Sequence, residues 1–293
     1  MGKKRKHRHF TLDDAHALKV GEGWRLSHVD ADSTPGLPNN GKGKEIAAEQ
    51  FDDHDEEIAD LQERMYAASR SGDGSAPTII IVLQGMDTSG KGGVVRHVLK
   101  GIDPQGVEVF SFGRPTEEEN EHDFLYRSRI RMPRPGRIGV WDRSHYEAVL
   151  VEKVKELTPL DEIEGRYDEI VAYENELAAN DVHLIKVMLH IDPDEQFERL
   201  MERLERADKH WKFDVGDIAD RALWDDYQDA YDEALRRTST ETNPWYCVPA
   251  NHKWYSRLVV KGLLLDTLRG LGLEWPTAEF DVEDAKRKLG ETK

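Results

Sequence analysis

Cysteine is almost missing from this chain: Cys247 is the single one in 293 residues. No internal disulfide can form, and no cysteine cluster can bind a metal. Cys247 lies in an apolar stretch, where buried packing is expected rather than a nucleophile. Long apolar runs are missing too. With no run of about 18 apolar residues, no membrane-spanning helix is expected. Positive charge is in deficit, with 41 Lys and Arg against 58 Asp and Glu and a formal net charge of −17. That balance argues against general binding of nucleic acid or acidic membrane by the body of the protein. A polyanionic ligand would need local basic clusters. The start, Met1-Gly2-Lys3-Lys4-Arg5-Lys6-His7-Arg8-His9, is basic but has no apolar h-region. It does not read as a secretory signal, and the cytoplasm is the expected compartment.

What is present centres on residues 79–93. Ile79-Ile80-Ile81-Val82-Leu83 is a β-branched apolar run, the pattern of a strand covered on both faces. Gly85-Met86-Asp87-Thr88-Ser89-Gly90-Lys91 then fits the phosphate-loop pattern G-x-x-x-x-G-K, and a helix is expected after it. Glycines let the backbone curl so that N–H groups converge on an anion. Lys91 adds a point charge, and the helix adds its positive N-terminal end. The competing reading is a plain strand–turn–helix corner. One further absence matters here. The Ser or Thr that usually follows the lysine and holds Mg²⁺ is Gly92. Asp87, inside the loop, would repel phosphate unless a metal or a proton intervened, so it argues for Mg²⁺.

Residues 1–43 are polar and weakly periodic, and an extended arm is expected there; a domain of about 44–293 follows. A helix is expected over 44–69 and a break at 71–75. A second strand is expected over 107–112, then a helix from the Thr116/Glu119 capping box to about Arg131. Residues 137–142 read as a third strand ending in Asp142. An acid there, downstream of a phosphate loop, is the expected second metal-organising carboxylate; a simple helix cap is the alternative. Further elements are expected as helix 166–180, strand 182–191, helix 195–206, helix 217–237, strand 245–249 and helix 251–271. Trp224, Tyr227 and Tyr231 space as a core face. Strands alternating with helices predict an α/β fold with a mostly parallel sheet and ligands at the carboxyl ends of its strands. That edge gathers Asp87, Lys91, Arg114, Asp142 and Arg143.

Two basic clusters stand out against the acidic background. One holds Arg127, Arg129, Arg131, Arg134 and Arg137; the other holds Arg199, Arg203 and Arg206 with Lys209 and Lys212. The second alternates with Glu195, Glu198, Glu202 and Glu205, so a solvated, charge-paired face is the competing reading. Its position in the chain is that of the helical lid of phosphate-loop kinases. The whole set points to phosphoryl transfer, with Mg²⁺ (or Mn²⁺) between Asp87 and Asp142 and with Lys91 and Arg143 neutralising the moving charge.

At these residues the chain resembles the polyphosphate kinase 2 family from about Phe51 to Leu265. The resemblance rests on Gly85 to Gly92, Pro115-Thr116 with Glu121-His122-Asp123-Phe124-Leu125, and Asp142-Arg143-Ser144-His145-Tyr146-Glu147. It continues through Lys209-His210-Trp211-Lys212-Phe213, Thr238-Ser239-Thr240, Pro244-Trp245-Tyr246 and Asn251-His252-Lys253-Trp254-Tyr255. The later pieces are most similar to the class III branch. The resemblance implies a three-layer α/β/α phosphate-loop kinase fold (thymidylate-kinase-like) with a helical lid over about 193–216. It implies phosphoryl transfer from inorganic polyphosphate to nucleoside mono- and diphosphates, in a homodimer or homotetramer. Asp87, Lys91, Asp142 and Arg143 become the catalytic set. Gly85, Met86, Thr88, Ser89, Gly90, Gly92, Arg114, Arg127, Arg131, Arg199, Arg203, Lys209 and Lys212 become phosphate- and nucleotide-binding residues. His145 stands where many members carry an aromatic residue, and neither Arg206 nor the basic tip acquires a role. The rival activity is an ATP-dependent nucleoside monophosphate kinase; a non-catalytic polyphosphate-binding module is a third possibility.

Overall fold

The computed structural model describes residues 9–71 and 75–293. The basic tip up to Arg8 and part of the break expected at 71–75 lie outside the described residues. Among the described residues there are five strands: β1 (Thr78–Gln84), β2 (Val107–Ser111), β3 (Ile138–Asp142), β4 (Val182–His190) and β5 (Trp245–Pro249). They form one sheet in the order β2-β3-β1-β4-β5, with every neighbouring pair parallel. Every residue of central β1 is buried, as its β-branched composition requires.

The main helices are α1 (Gly41–Asp53), α2 (Asp55–Ala68), α3 (Lys91–Val98), α4 (Leu160–Ala179), α5 (Pro193–Glu205), α6 (Trp224–Thr238), α7 (Lys253–Gly270) and α8 (Val282–Gly290). Alternation along β1 divides the core between the two faces of the sheet. Ile79, Ile81 and Leu83 pack in one cluster with Val94 and Val98 of α3, Leu258 of α7, and Ile58 of α2. Ile80 and Val82 pack in the other with Trp141, with Tyr167 of α4, and with Tyr231 of α6. The result is the three-layer α/β/α arrangement that alternating strands and helices predict.

Boundaries depart from the sequence reading where local chemistry is mixed. The helix expected from Thr116 to Arg131 is two short pieces, Glu117–Asn120 and Tyr126–Arg129, although the Thr116/Glu119 capping box forms as expected. The helix expected over 217–237 breaks at Leu223 into Gly216–Ala222 and α6. The one expected over 44–69 has a joint at His54. Helix α8 was not foreseen, although Val282, Ala285 and Leu289 fall at helical spacing; it buries no residue.

Residues 9–40 are an arm with a definite seat. Val20 N–H donates to the Trp245 carbonyl at 2.8 Å, and Cys247 N–H donates to the Leu18 carbonyl at 3.0 Å. The arm thereby pairs antiparallel with β5 at Lys19 and Tyr246 and covers that sheet edge. Phe10, Ala15 and Leu37 enter one core, and Val20 and Leu26 the other. Cys247 is buried, in keeping with a packing role. No described helix is long and apolar enough to cross a membrane.

Candidate active site

The register of the sheet builds the site. Leu83 pairs with Asp142, and Ser111 pairs with the same residue from the other side. The carboxyl ends of β1, β2 and β3 therefore open at one level, where ligands bind in such sheets. The turn after β1 needs its glycines. Gly85 has φ 140°, and a Cβ there would meet the Leu189 carbonyl oxygen at 2.5 Å. Gly90 has φ 110° and caps α3, whose N-terminal turn opens onto the loop. Arg143 holds a positive φ of 62° without being glycine. Such strain persists only where the surroundings enforce it, and it often marks a working site.

Above this turn is a cleft of about 880 Å³. Asp87, Thr88, Ser89, Gly90, Lys91, Gly92, Asp142 and Arg143 line it, and so do Arg199, Arg203, Lys209 and Lys212. Gly85 and Met86 lie at the start of the loop, and their carbonyls accept from Lys91 Nζ at 2.6 and 3.3 Å. Arg114, Arg127 and Arg131 do not line the cleft. Arg127 donates to the Gly113 carbonyl at 2.8 Å, at the cleft's edge, and lies 3.1 Å from Glu119. Arg131 stacks over Phe110 at 4.4 Å.

The cleft floor is a charge network. Arg143 Nη2 donates to Asp87 Oδ1 at 2.8 Å. Burial would raise the pKa of Asp87, but Lys91 and Arg143 outweigh it and hold the carboxyl below its ordinary value. Asp87 is therefore an anion at neutral pH. Burial depresses Lys91, and the nearby Arg143 adds to that effect against the pull of Asp142, Asp87 and Glu147. Burial opposes the charge on Arg143 as well, yet Glu147 and Asp87 push its pKa up. Glu147 lies beside Arg143, accepts from Gln84 Nε2 at 3.2 Å, and is shifted upward by desolvation.

Several of these residues were not singled out from the sequence. Arg96 and His97 of α3, and Lys253, Ser256 and Arg257 of α7, line the cleft together with the 199–212 residues. Asp217 lines it too and pairs with Arg203 at 3.2 Å. Tyr231, read as core, accepts the Gly85 N–H on its hydroxyl at 3.1 Å. Arg96 and His97 fall in the two turns after Lys91, so helical periodicity could have placed them; Lys253 stands within the Asn251 to Tyr255 stretch of the resemblance but was given no role, and no local signal marks Arg257. His145 faces away from the cleft. Its ring is buried 3.5 Å from Glu174 and packs on Trp141, Tyr146 and Tyr173.

In total the cleft presents nine Lys and Arg against four Asp and Glu, within a chain of net charge −17. That local inversion is the field a polyanion requires. Asp87 and Asp142 supply hard oxygen ligands, and Asp87 Oδ2 takes no hydrogen bond among the described residues. No group of three or more metal-ligating side chains occurs among the described residues. One or two carboxylates completed by phosphate oxygens and water suit Mg²⁺ or Mn²⁺, so the residues fit such an ion.

Comparison with known proteins agrees with this geometry. A family model described as "Polyphosphate kinase 2 (PPK2)" matches residues 44–272. An AMP/ADP-polyphosphate phosphotransferase of Meiothermus ruber is 42% identical over 260 residues, covering 89% of this chain and 94% of that protein. An ADP-polyphosphate phosphotransferase of Rhodopseudomonas palustris is 40% identical, over 80% of this chain and 81% of its own. The crystal structure of polyphosphate kinase 2 from Arthrobacter aurescens superposes with a TM-score of 0.89 at 44% identity, covering 98% of this chain and 99% of that one. With its phosphate loop, its paired carboxylates and this breadth of match, the chain belongs to the polyphosphate kinase 2 family.

Proposed function

We propose that this protein is a polyphosphate:nucleotide phosphotransferase, moving phosphoryl groups from inorganic polyphosphate to nucleoside mono- and diphosphates (AMP and ADP to ADP and ATP). The observation that carries the reading is the cleft itself: a phosphate loop and an ionised Asp87 at the floor, walled by basic residues from α3, α5, α7 and the 207–212 turn. Phosphoryl transfer asks little covalent chemistry of a protein. It requires alignment of two oxygens and neutralisation of the charge between them.

Asp87 and Asp142 would hold Mg²⁺ (or Mn²⁺), which would supply positive charge to the phosphate oxygens. Lys91 exchanges its two loop carbonyls for a phosphate oxygen and brings a desolvated ammonium to the moving group. Arg143, anchored on Asp87, presents its remaining N–H groups to the same oxygens. Gly92 leaves the lysine without a neighbouring hydroxyl, so the carboxylates of Asp87 and Asp142 would have to hold the metal together. Lys209, Lys212, Lys253 and Arg257 line the same cleft and grip a chain of phosphates. The resemblance further supports a homodimer or homotetramer, which sedimentation would measure, and a place in the cytoplasm.

With polyphosphate as sole donor, Mg²⁺ and AMP or ADP, the protein should form ADP and ATP without added ATP. No product across purine and pyrimidine nucleotides would overturn the reading. A salt series gives a second expectation. The KM for polyphosphate should rise several-fold between roughly 0.05 and 0.5 M salt, because many screened contacts hold it. The KM for the nucleotide should rise less; equal, flat responses would argue against a polyanion in this cleft.

A further inference from the structure

The root of α5 holds the phosphate loop from behind. Gln196 is 1% exposed, and its Nε2 donates to the Asp87 carbonyl at 3.3 Å. Its amide orientation is set by chemistry. Arg221 Nη1 lies 3.0 Å from Gln196 Oε1, and a guanidinium only donates, so Oε1 must face it and Nε2 must face the loop. One turn further along the same helix, Arg199 donates from Nη1 to the Thr88 carbonyl at 2.9 Å. Its Nη2 donates to the carbonyls of Ala250 and Asn251, each at 2.8 Å, and its Nε to Glu195 at 2.5 Å. Four of its five N–H groups thus meet protein acceptors. Arg199 was expected to clamp phosphate; in this structure its fork is spent largely on backbone.

We propose that Gln196 and Arg199 are positioning residues, which fix the peptides on either side of Thr88 and so aim the loop at its ligand. This rests on the phosphoryl-transfer reading of the cleft. Thr88 has φ 67°, a conformation that a β-branched residue adopts only when held. Two consecutive carbonyls gripped by buried donors supply that hold. In a trans peptide the C=O and N–H point in opposite directions. Drawing the Asp87 carbonyl toward Gln196 therefore turns the Thr88 N–H the other way, on the side where Thr88 lines the cleft. That N–H takes no backbone acceptor among the described residues, which leaves it for a ligand oxygen. The same restraint orients the Asp87 carboxylate toward Arg143.

The test uses Gln196→Met, Arg199→Lys and Arg199→Ala in the full chain. Thermal unfolding, kcat, both KM values and amide hydrogen exchange of the 85–90 segment are measured. Gln196→Met should fold, lose about tenfold or more in kcat, and change either KM by less than about threefold, as small misplacements at a reacting centre do. Exchange in the loop should quicken by about tenfold. Arg199→Lys should fall as far as Arg199→Ala, because an ammonium cannot span three carbonyls. If lysine restores activity, Arg199 acts as a charge and the proposal fails for it. Unchanged kcat and unchanged loop exchange in Gln196→Met would overturn the clamp. Should the Arg199 variants not fold, Gln196→Met decides alone. Loop exchange needs no turnover, so an inactive wild type would sink the functional reading and still leave the clamp to be judged.

Discussion

Asp87→Asn and Lys91→Met should each lower turnover by about 10³-fold while the protein stays folded. Asparagine keeps the shape of Asp87 and an oxygen for Arg143, which donates to Oδ1 at 2.8 Å. The negative charge that would hold the metal is lost. The lowered pKa of Asp87 means that the wild-type group is ionised through the whole assay range, so the variant's defect should persist at every pH from about 6 to 9. Lys91→Met keeps the buried stem and deletes the ammonium. Burial disfavours that ammonium, while its hydrogen bonds to the Gly85 and Met86 carbonyls favour it, so circular dichroism and thermal unfolding should show Lys91→Met folded. Single-turnover rates with saturating polyphosphate and nucleotide check both variants. Rates within tenfold of wild type would remove these residues from the transfer step.

The largest stability effect should come from a residue remote from the cleft. Lys186→Met should cost about 3–5 kcal/mol at pH 7, roughly 10 °C in Tm. Lys186 is fully buried on β4 and donates to Glu174 at 2.6 Å, the Thr238 carbonyl at 2.8 Å and the Tyr146 hydroxyl at 3.1 Å. All three of its protons are used. Burial pushes the pKa of Glu174 up, but Lys186 and His145 hold it below its ordinary value. A carboxylate with a depressed folded pKa contributes stability above the unfolded value near 4.3, and loses it as pH falls through the folded one. Removing Lys186 reverses the sign. Glu174 then becomes a buried carboxyl with a raised pKa, and the deficit should shrink toward pH 4, where the group is protonated. Lys186→Met with Glu174→Gln should recover most of the loss at pH 7. A single variant within about 0.5 kcal/mol of wild type would show the pair to be dispensable.

The sequence disclosed most where the chemistry is local. β1, the loop and α3 form one contiguous strand–turn–helix, so Asp87 and Lys91 were legible from spacing alone. Asp142 was legible because it ends an apolar strand, and Gly92 because an expected hydroxyl is missing. The contribution of α7 was hardly legible, since Lys253 stood only within a stretch of the resemblance and Arg257 in none. Lys253 and Arg257 lie more than 150 residues from Lys91 and reach the cleft only because α7 packs beside α3. Tyr231 carries an aromatic spacing that reads as core, and it is core; its hydroxyl also holds Gly85, which periodicity cannot register. The direction of the basic residues 127–137 was not legible for a related reason. Charge density is visible in a sequence, but its direction is not, and Arg134 and Arg137 turn to Glu108 rather than to the cleft. The arm was expected as extended, and its seat was not legible because its buried residues, Phe10, Ala15, Val20, Leu26 and Leu37, follow no regular period. It gains order by covering the edge of β5.

The choice of donor tests the account most directly. Initial rates of AMP phosphorylation should be measured on one preparation with polyphosphate or with ATP, each at saturation and with Mg²⁺. A cleft with nine Lys and Arg and no hydroxyl beside Lys91 predicts faster transfer from polyphosphate, falling to background with Asp87→Asn. Efficient transfer from ATP alongside none from polyphosphate would contradict it.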